Sequence, residues 1–128
     1  MSDNNDLLDH DYLRDNFLAV GFADLLVEIL TTFRKQARLN LTAIQEAQAG
    51  QDWAALAETT HTLKGTAGSV GASRLANTAE QLELILTEGD KMRIARLVTE
   101  LAEVLSSTDQ AIATELERTD TKDWQNLL

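Results

Sequence analysis

Residues 59 to 75 read TTHTLKGTAGSVGASRL, a helix-forming run interrupted by three glycines. At about 100° per residue, Leu56, Thr60, Leu63, Ala67 and Val70 share one broad side of a helix, which is the core side. His61 lies off that side. Ala57, Glu58, Lys64, Gly65 and Gly68 gather within about 60° of it, opposite Leu63 and Val70, so the histidine is predicted to face solvent. A helical glycine costs about 1 kcal/mol relative to alanine. Two glycines on the histidine's own face need compensation, either from a neighbouring helix packed closely or from an external partner that approaches the imidazole. The face points away from the core stripe, which favours the external partner.

Beyond Gly71 a second helix begins at Ala72 or Ser73 and runs to about Glu88, with Leu75, Ala79, Leu82 and Leu86 inward. The connection is only a few residues long, so the two helices must be antiparallel. His61 stands ten residues before Gly71 and Glu83 twelve after it, which puts them at about the same height. Glu83 can then accept a hydrogen bond from the second ring nitrogen, although a merely solvated glutamate satisfies the same spacing.

Working outward, chain breaks fall at Gly21, Gly50, Gly71 and Gly89. A short first segment, about Leu7 to Val20, has Leu8, Tyr12 and Asp15 on one side with Leu13 and Phe17 beside them, and acts as a lid. The next, about Phe22 to Ala49, carries Phe22, Leu26, Ile29, Leu30, Phe33, Ala37, Leu41, Ile44 and Ala47 at helical steps. The helix of His61 starts at an Asp52 N-cap and ends at Gly68. The last runs from about Asp90 to Leu116 with Ile94, Val98, Leu101, Leu105, Ile112 and Leu116 inward. The expected fold is all-α: an antiparallel up-down four-helix bundle with an additional short N-terminal helix. Residues 1–118 form one domain, and 119–128 are expected to be a polar, frayed tail whose Trp124, Leu127 and Leu128 are able to dock on the bundle.

Composition agrees. The 128 residues include no proline, six glycines and few aromatics, which points to helices rather than strands. Cysteine is absent, so disulfides and thiolate metal sites are excluded. The acidic start lacks a signal-like apolar stretch and nothing approaches a membrane span, so a soluble, cytoplasmic protein is expected. A formal net charge of −10 repels nucleic acid and anionic membrane and favours basic surfaces or specific protein partners. Solubility alone explains the charge equally well.

A neutral imidazole nitrogen is a nucleophile at cytoplasmic pH. Lys64, at i+3, offers an ammonium to negative charge placed on that ring. Together these describe a phosphoryl-accepting histidine with an open approach. The run GTAGSVG has no following Lys-Ser or Lys-Thr and no strand before it, so it is not a phosphate-cradling loop, and ATP-dependent kinase activity is not expected.

HTLKGTAGSVGASRLANTAEQLE resembles histidine-containing phosphotransfer (HPt) domains, whose motif reads His-x-x-Lys-Gly, then small residues, a glycine, and a helix. The match is colinear from His61 to Glu83. Upstream, FADLLVEILTTF and DWAALAETTH extend the likeness over most of residues 7 to 116. The resemblance implies that His61 is phosphorylated, that Lys64 helps hold the phosphoryl group, and that Gly65 leaves room for docking. Many relatives carry glutamine at the Glu83 position. It implies a carrier that exchanges phosphoryl groups with aspartates of response-regulator receiver domains, in a phosphorelay fed by a hybrid sensor histidine kinase. No cofactor of its own is expected, Mg²⁺ belonging to the receiver, and the domain is expected to be monomeric, without nucleic-acid or membrane contact. Ala57, Gly65 and Gly68 are candidate docking residues, with Leu18, Phe22 and Leu25 on adjoining helices. Two other readings are a non-phosphorylated adaptor bundle binding a receiver or kinase, and a metal-binding bundle using Asp9, His10 and Asp11. The second is weak, with only two histidines and a single Glu-x-x-His run, Glu58 to His61, where a bundle metal site of that kind pairs two.

Overall fold

The glycine-marked breaks are where the chain turns. The computed structural model describes residues 7–19 and 21–120, and among them every regular element is helical. Helix α1 (His10–Leu13) runs into one π-helical turn (Arg14–Leu18), followed by α2 (Ala23–Ala49), α3 (Trp53–Ser69), α4 (Ser73–Leu86) and α5 (Lys91–Asp120). Consecutive long helices pack on each other, and α2 also packs on α5, so the helical bundle closes on itself. Helix α5 continues four residues past Leu116, where spacing predicted its end. Val20 and residues 121–128 of the expected tail lie outside the described residues.

The core is the sum of the apolar stripes. Leu26, Leu30 and Ile44 of α2 meet Leu56 and Leu63 of α3, Leu75 and Leu82 of α4, and Leu101 and Ile112 of α5, all essentially inaccessible to water. Each such side chain contributes about 1.5–3 kcal/mol through removal of apolar surface from water. Phe22 departs from the predicted stripe: it precedes the helix and is 53% exposed. Conversely Ile85, left out of the α4 stripe, is buried. On the bundle's flank, Asp109 of α5 accepts from Arg34 at 2.8 and 3.1 Å and from Arg38 at 3.0 Å. The Arg34 guanidinium, opposed by burial and helped by Arg38, holds the Asp109 carboxyl below its usual range.

The turn between α3 and α4 sets the height of one helix against the other. The Ala72 N–H reaches back to the Ala67 carbonyl at 2.9 Å and the Gly71 N–H to Gly68 at 3.2 Å, a Schellman closure with Gly71 in the left-handed region at φ 77°. A side chain at Gly71 would also press on Tyr12 Cδ2 at 3.2 Å and Asp9 Cβ at 3.3 Å. The same closure ends α2, but there the left-handed residue is Gln51, at φ 57°, and not the neighbouring Gly50. That substitution costs roughly 1–2 kcal/mol of backbone energy.

The N-terminal segment covers the α3–α4 turn, as the lid reading expected. The Asp9 N–H donates to the Gly71 carbonyl at 2.8 Å and the Tyr12 hydroxyl to Ser69 at 3.0 Å. Leu8, Leu13 and Leu18 turn into the core. In the π-turn the Ala19 N–H bonds Arg14 and the Phe22 N–H bonds Phe17, each five residues back. The widened turn rotates Leu18 inward, a displacement that uniform helical spacing cannot express. Among the described residues, no helix is long and apolar enough to cross a membrane.

Candidate functional site

Asp52 starts the helix that carries the site: its carboxylate accepts from the Ala55 N–H at 3.1 Å, as expected of an N-cap. From there Leu56, Thr60, Leu63 and Ala67 enter the core, and Val70 follows at the helix end. The intervening residues are therefore turned outward. His61 is one of them, with 71% of its side chain exposed.

Around it the surface of α3 is low. A Cβ added at Gly65 or Gly68 would meet no atom within 4 Å, so neither glycine admits a neighbouring helix. Of the two compensations for helical glycine, close internal packing is absent. The hydroxyls nearby fold back onto their own helix: Thr62 donates to Glu58 O at 3.1 Å, Thr66 to Thr62 O at 3.2 Å, and Ser69 to Thr66 O at 2.8 Å. A strip without projecting polar groups leads along α3 from the imidazole.

Across the hairpin, α4 returns Glu83 to the height of His61. Glu83 Oε2 lies 2.8 Å from His61 Nδ1, and Oε1 lies 2.7 Å from Lys64 Nζ. One carboxylate thus bridges both residues. The Lys64 hydrogen bond lowers the Glu83 carboxyl below its usual range, with partial burial opposing and His61 assisting. Lys64 is in turn held above its usual range, first by that hydrogen bond and further by the charges of Glu83 and Glu80. At neutral pH Glu83 is ionised, and a carboxylate can only accept. The Nδ1 proton must therefore be the donor, which leaves the lone pair on Nε2. A nucleophile is presented on the open side, and a negative charge stands behind the ring to stabilise positive charge that develops there.

The hairpin arithmetic thus places Glu83 beside the imidazole, while Lys64 makes a contact that the sequence reading missed. Counting from Gly71 sets Lys64 level with Glu80 instead; its long side chain reaches one turn along to Glu83. Among the residues considered for docking, Ala57, Gly65 and Gly68 are exposed on α3, and Phe22 and Leu25 are exposed by 53% and 45% at the start of α2. Leu18 is corrected: only 9% of it is accessible, because the π-turn delivers it to the core. Asp9 and Asp11 do not converge with His10. The Asp9 side chain caps Tyr12 N, and His10 Nδ1 sits 3.2 Å from Glu115 Oε1. Among the described residues, no three His, Asp or Glu side chains are grouped to hold a metal ion.

Compared with known proteins, the chain matches the family model described as the Hpt domain over residues 28–121, which is more than two thirds of its length and includes α3 and α4 entire. No curated protein and no solved structure matches it.

Proposed function

Since the chain belongs to the Hpt domain family, we propose that it folds as an antiparallel four-helix bundle presenting His61 as the phosphoacceptor of a His–Asp phosphorelay. Family membership implies histidine phosphotransfer in two-component signalling, with the protein acting as a carrier. The partner is a response-regulator receiver domain, and the phosphoryl group originates with a hybrid sensor histidine kinase in the cytoplasm. The domain works as a monomer and engages no nucleic acid.

In this mechanism the receiver brings an aspartyl phosphate over the open face of α3, and Mg²⁺ is held by the receiver. The His61 Nε2 lone pair attacks phosphorus in line, the P–O bond to the aspartyl oxygen breaks, and its electron pair stays on the departing carboxylate. Nδ1 keeps its proton throughout, so the phosphorylated ring carries positive charge beside Glu83. Transfer to a second receiver is the reverse sequence. Positioning and electrostatics supply most of the acceleration in such reactions, and much of that apparatus belongs to the receiver. Lys64 supplies a cation for the phosphoryl oxygens. A glutamate where many relatives have glutamine adds a full charge: it favours the cationic ring and repels the phosphoryl group, and Lys64 offsets the repulsion.

The observation that carries this reading is the 2.8 Å contact of Glu83 with Nδ1, leaving Nε2 free over a glycine-floored surface. Incubation with a phosphorylated receiver is expected to load the protein with acid-labile phosphate. Equal loading of His61→Gln would overturn the assignment.

A further inference from the structure

Between α4 and α5 runs a groove of about 410 Å³ with Leu84, Ile85 and Leu97 as its apolar walls and Gln81, Arg93 and Arg96 at its rim. Around α4, Gln81, Leu84 and Ile85 stand about 100–160° from Glu83. Glu83 meets the imidazole, so the groove opens on another flank of the helix, away from the His61 face.

Its charge runs against that of the molecule. The chain has 11 lysine and arginine residues against 21 aspartates and glutamates, yet Lys91, Arg93 and Arg96 fall within six positions at the start of α5 with no acidic residue among them. Arg93 donates to Glu88 at 3.1 Å, at the hairpin end of the groove. Arg96 is exposed, and no hydrogen-bond or ion-pair partner reaches it among the described residues. Glu100, one turn further along α5, is exposed too and does not close on it. Leu84, on the facing helix, is 62% exposed. An unpaired guanidinium thus stands over apolar surface that water covers, in a protein whose net charge of −10 repels most anions.

We propose that the α4–α5 groove is a second docking surface, taking an acidic amphipathic helix of a protein partner whose apolar stripe lies on Leu84, Ile85 and Leu97 and whose carboxylates meet Arg96 and Arg93. Two packed helices form a channel suited to the apolar stripe of a third. Arg93 and Arg96, three residues apart on α5, face carboxylates spaced by one turn, and a guanidinium fork binds a carboxylate through two hydrogen bonds. Glu88 repels acidic residues at the hairpin end, which fixes the direction in which the helix lies. A helix seated there leaves the imidazole open. Under the phosphorelay reading above, one partner then holds the carrier while a receiver exchanges phosphoryl groups with it; the surface itself does not depend on that reading.

The test is an NMR titration of isotope-labelled protein with a synthetic peptide carrying leucine at i, i+3, i+4 and i+7, glutamate beside them and alanine elsewhere, run in parallel with an analogue that has lysine for glutamate. Amide signals of Gln81, Leu84, Arg93, Arg96 and Leu97 are expected to shift with the glutamate peptide and to saturate by about 1 mM. Arg96→Glu is expected to weaken that peptide about tenfold and to strengthen the lysine analogue. Leu84→Ala, an exposed truncation, is expected to weaken both about threefold. Phosphoramidate, a small donor, should label His61 at the same rate with the peptide bound. The absence of saturable shifts by about 1 mM would overturn the proposal, as would shifts centred on the His61 face, or equal affinity of wild type and Arg96→Glu for the glutamate peptide. So would a wild-type dimer in sedimentation that Arg96→Glu disperses, since the groove would then belong to a second copy. Peptide that slows labelling by phosphoramidate would overturn the separation of the two surfaces. Free protein that phosphoramidate and phosphorylated receivers both fail to label would instead defeat the phosphorelay reading.

Discussion

Two glutamates of this bundle are each held between a histidine and a basic side chain. Glu83 lies 2.8 Å from His61 and 2.7 Å from Lys64; Glu115 lies 3.2 Å from His10 and 3.4 Å from Arg118. The residue types are nearly the same and the surroundings are not. The Glu115 side chain is 5% exposed and ties the N-terminal segment to α5, so its histidine serves as a fastening. The Glu83 side chain is 23% exposed and its histidine 71%, on a helix face cleared by two glycines. A His–Glu–cation group therefore does not define a reactive site by composition. What separates the two is how openly the group stands: the His10 side chain is 39% exposed over a buried carboxylate, that of His61 71% exposed on a cleared helix face.

The sharpest way to break this comparison is to exchange the fates of the two histidines. His61→Gln should reduce phosphoryl labelling by a hundredfold or more, on the order of losing the nucleophile altogether. His10→Gln should leave labelling within about twofold of wild type, because that residue only helps position the lid. Comparable losses in both variants would erase the distinction.

Stability should show the opposite ranking. Glu115→Ala removes a buried carboxylate that both His10 and Arg118 contact and is expected to cost about 1–3 kcal/mol in urea unfolding. Glu83→Ala, at a partly solvated pair, should cost less than about 1 kcal/mol. A larger loss at Glu83 would mean that its bridge fastens the hairpin rather than serving the imidazole.

A smaller effect tests the clearance itself. Gly65→Ala adds a methyl group where nothing lies within 4 Å, so it should stabilise the bundle by about 0.5–1 kcal/mol while slowing transfer from a receiver. A stabilised variant with unchanged transfer would show that the open surface is not needed.

The least effect is expected from pH. Glu83 is held below the usual carboxylate range, so its contribution is fully present above that range and is lost as pH falls through the lowered value. Lys64 is held above the usual lysine range, so its part is fully present below that range and is lost as pH rises through the raised value. The stability gap between wild type and Glu83→Gln should be flat around neutrality, closing in acid as Glu83 is protonated and again in strong alkali as Lys64 loses its charge. A gap that changes between pH 6 and 8 would implicate His61 as the group that governs the bridge.

Much of this was legible in the sequence where one rule acted alone. The inward residues of α3 followed from 100° spacing, and the placement of Glu83 followed from counting along a tight hairpin whose turn is marked by Gly71. The reading lost ground where two local effects met. The π-turn adds a residue to one helical turn, so Leu18 went inward and Phe22 outward against regular spacing. Gln51 took the left-handed position next to Gly50 because the closure demanded it one residue later. Glu115 resembles any solvated glutamate until the lid is folded over it. The groove at Arg96 arises from the shape between two helices, which neither helix's periodicity contains.

The attachment of the lid has a mechanical consequence. Asp9 and Tyr12 grip the α3–α4 turn at Gly71 and Ser69, and that turn fixes how far α4 slides along α3. A slip of one residue in α4 would displace Glu83 by about 1.5 Å relative to the imidazole. A hydrogen bond of 2.8 Å does not survive such a shift. The N-terminal segment is thus one of the fastenings that keep Glu83 level with the imidazole.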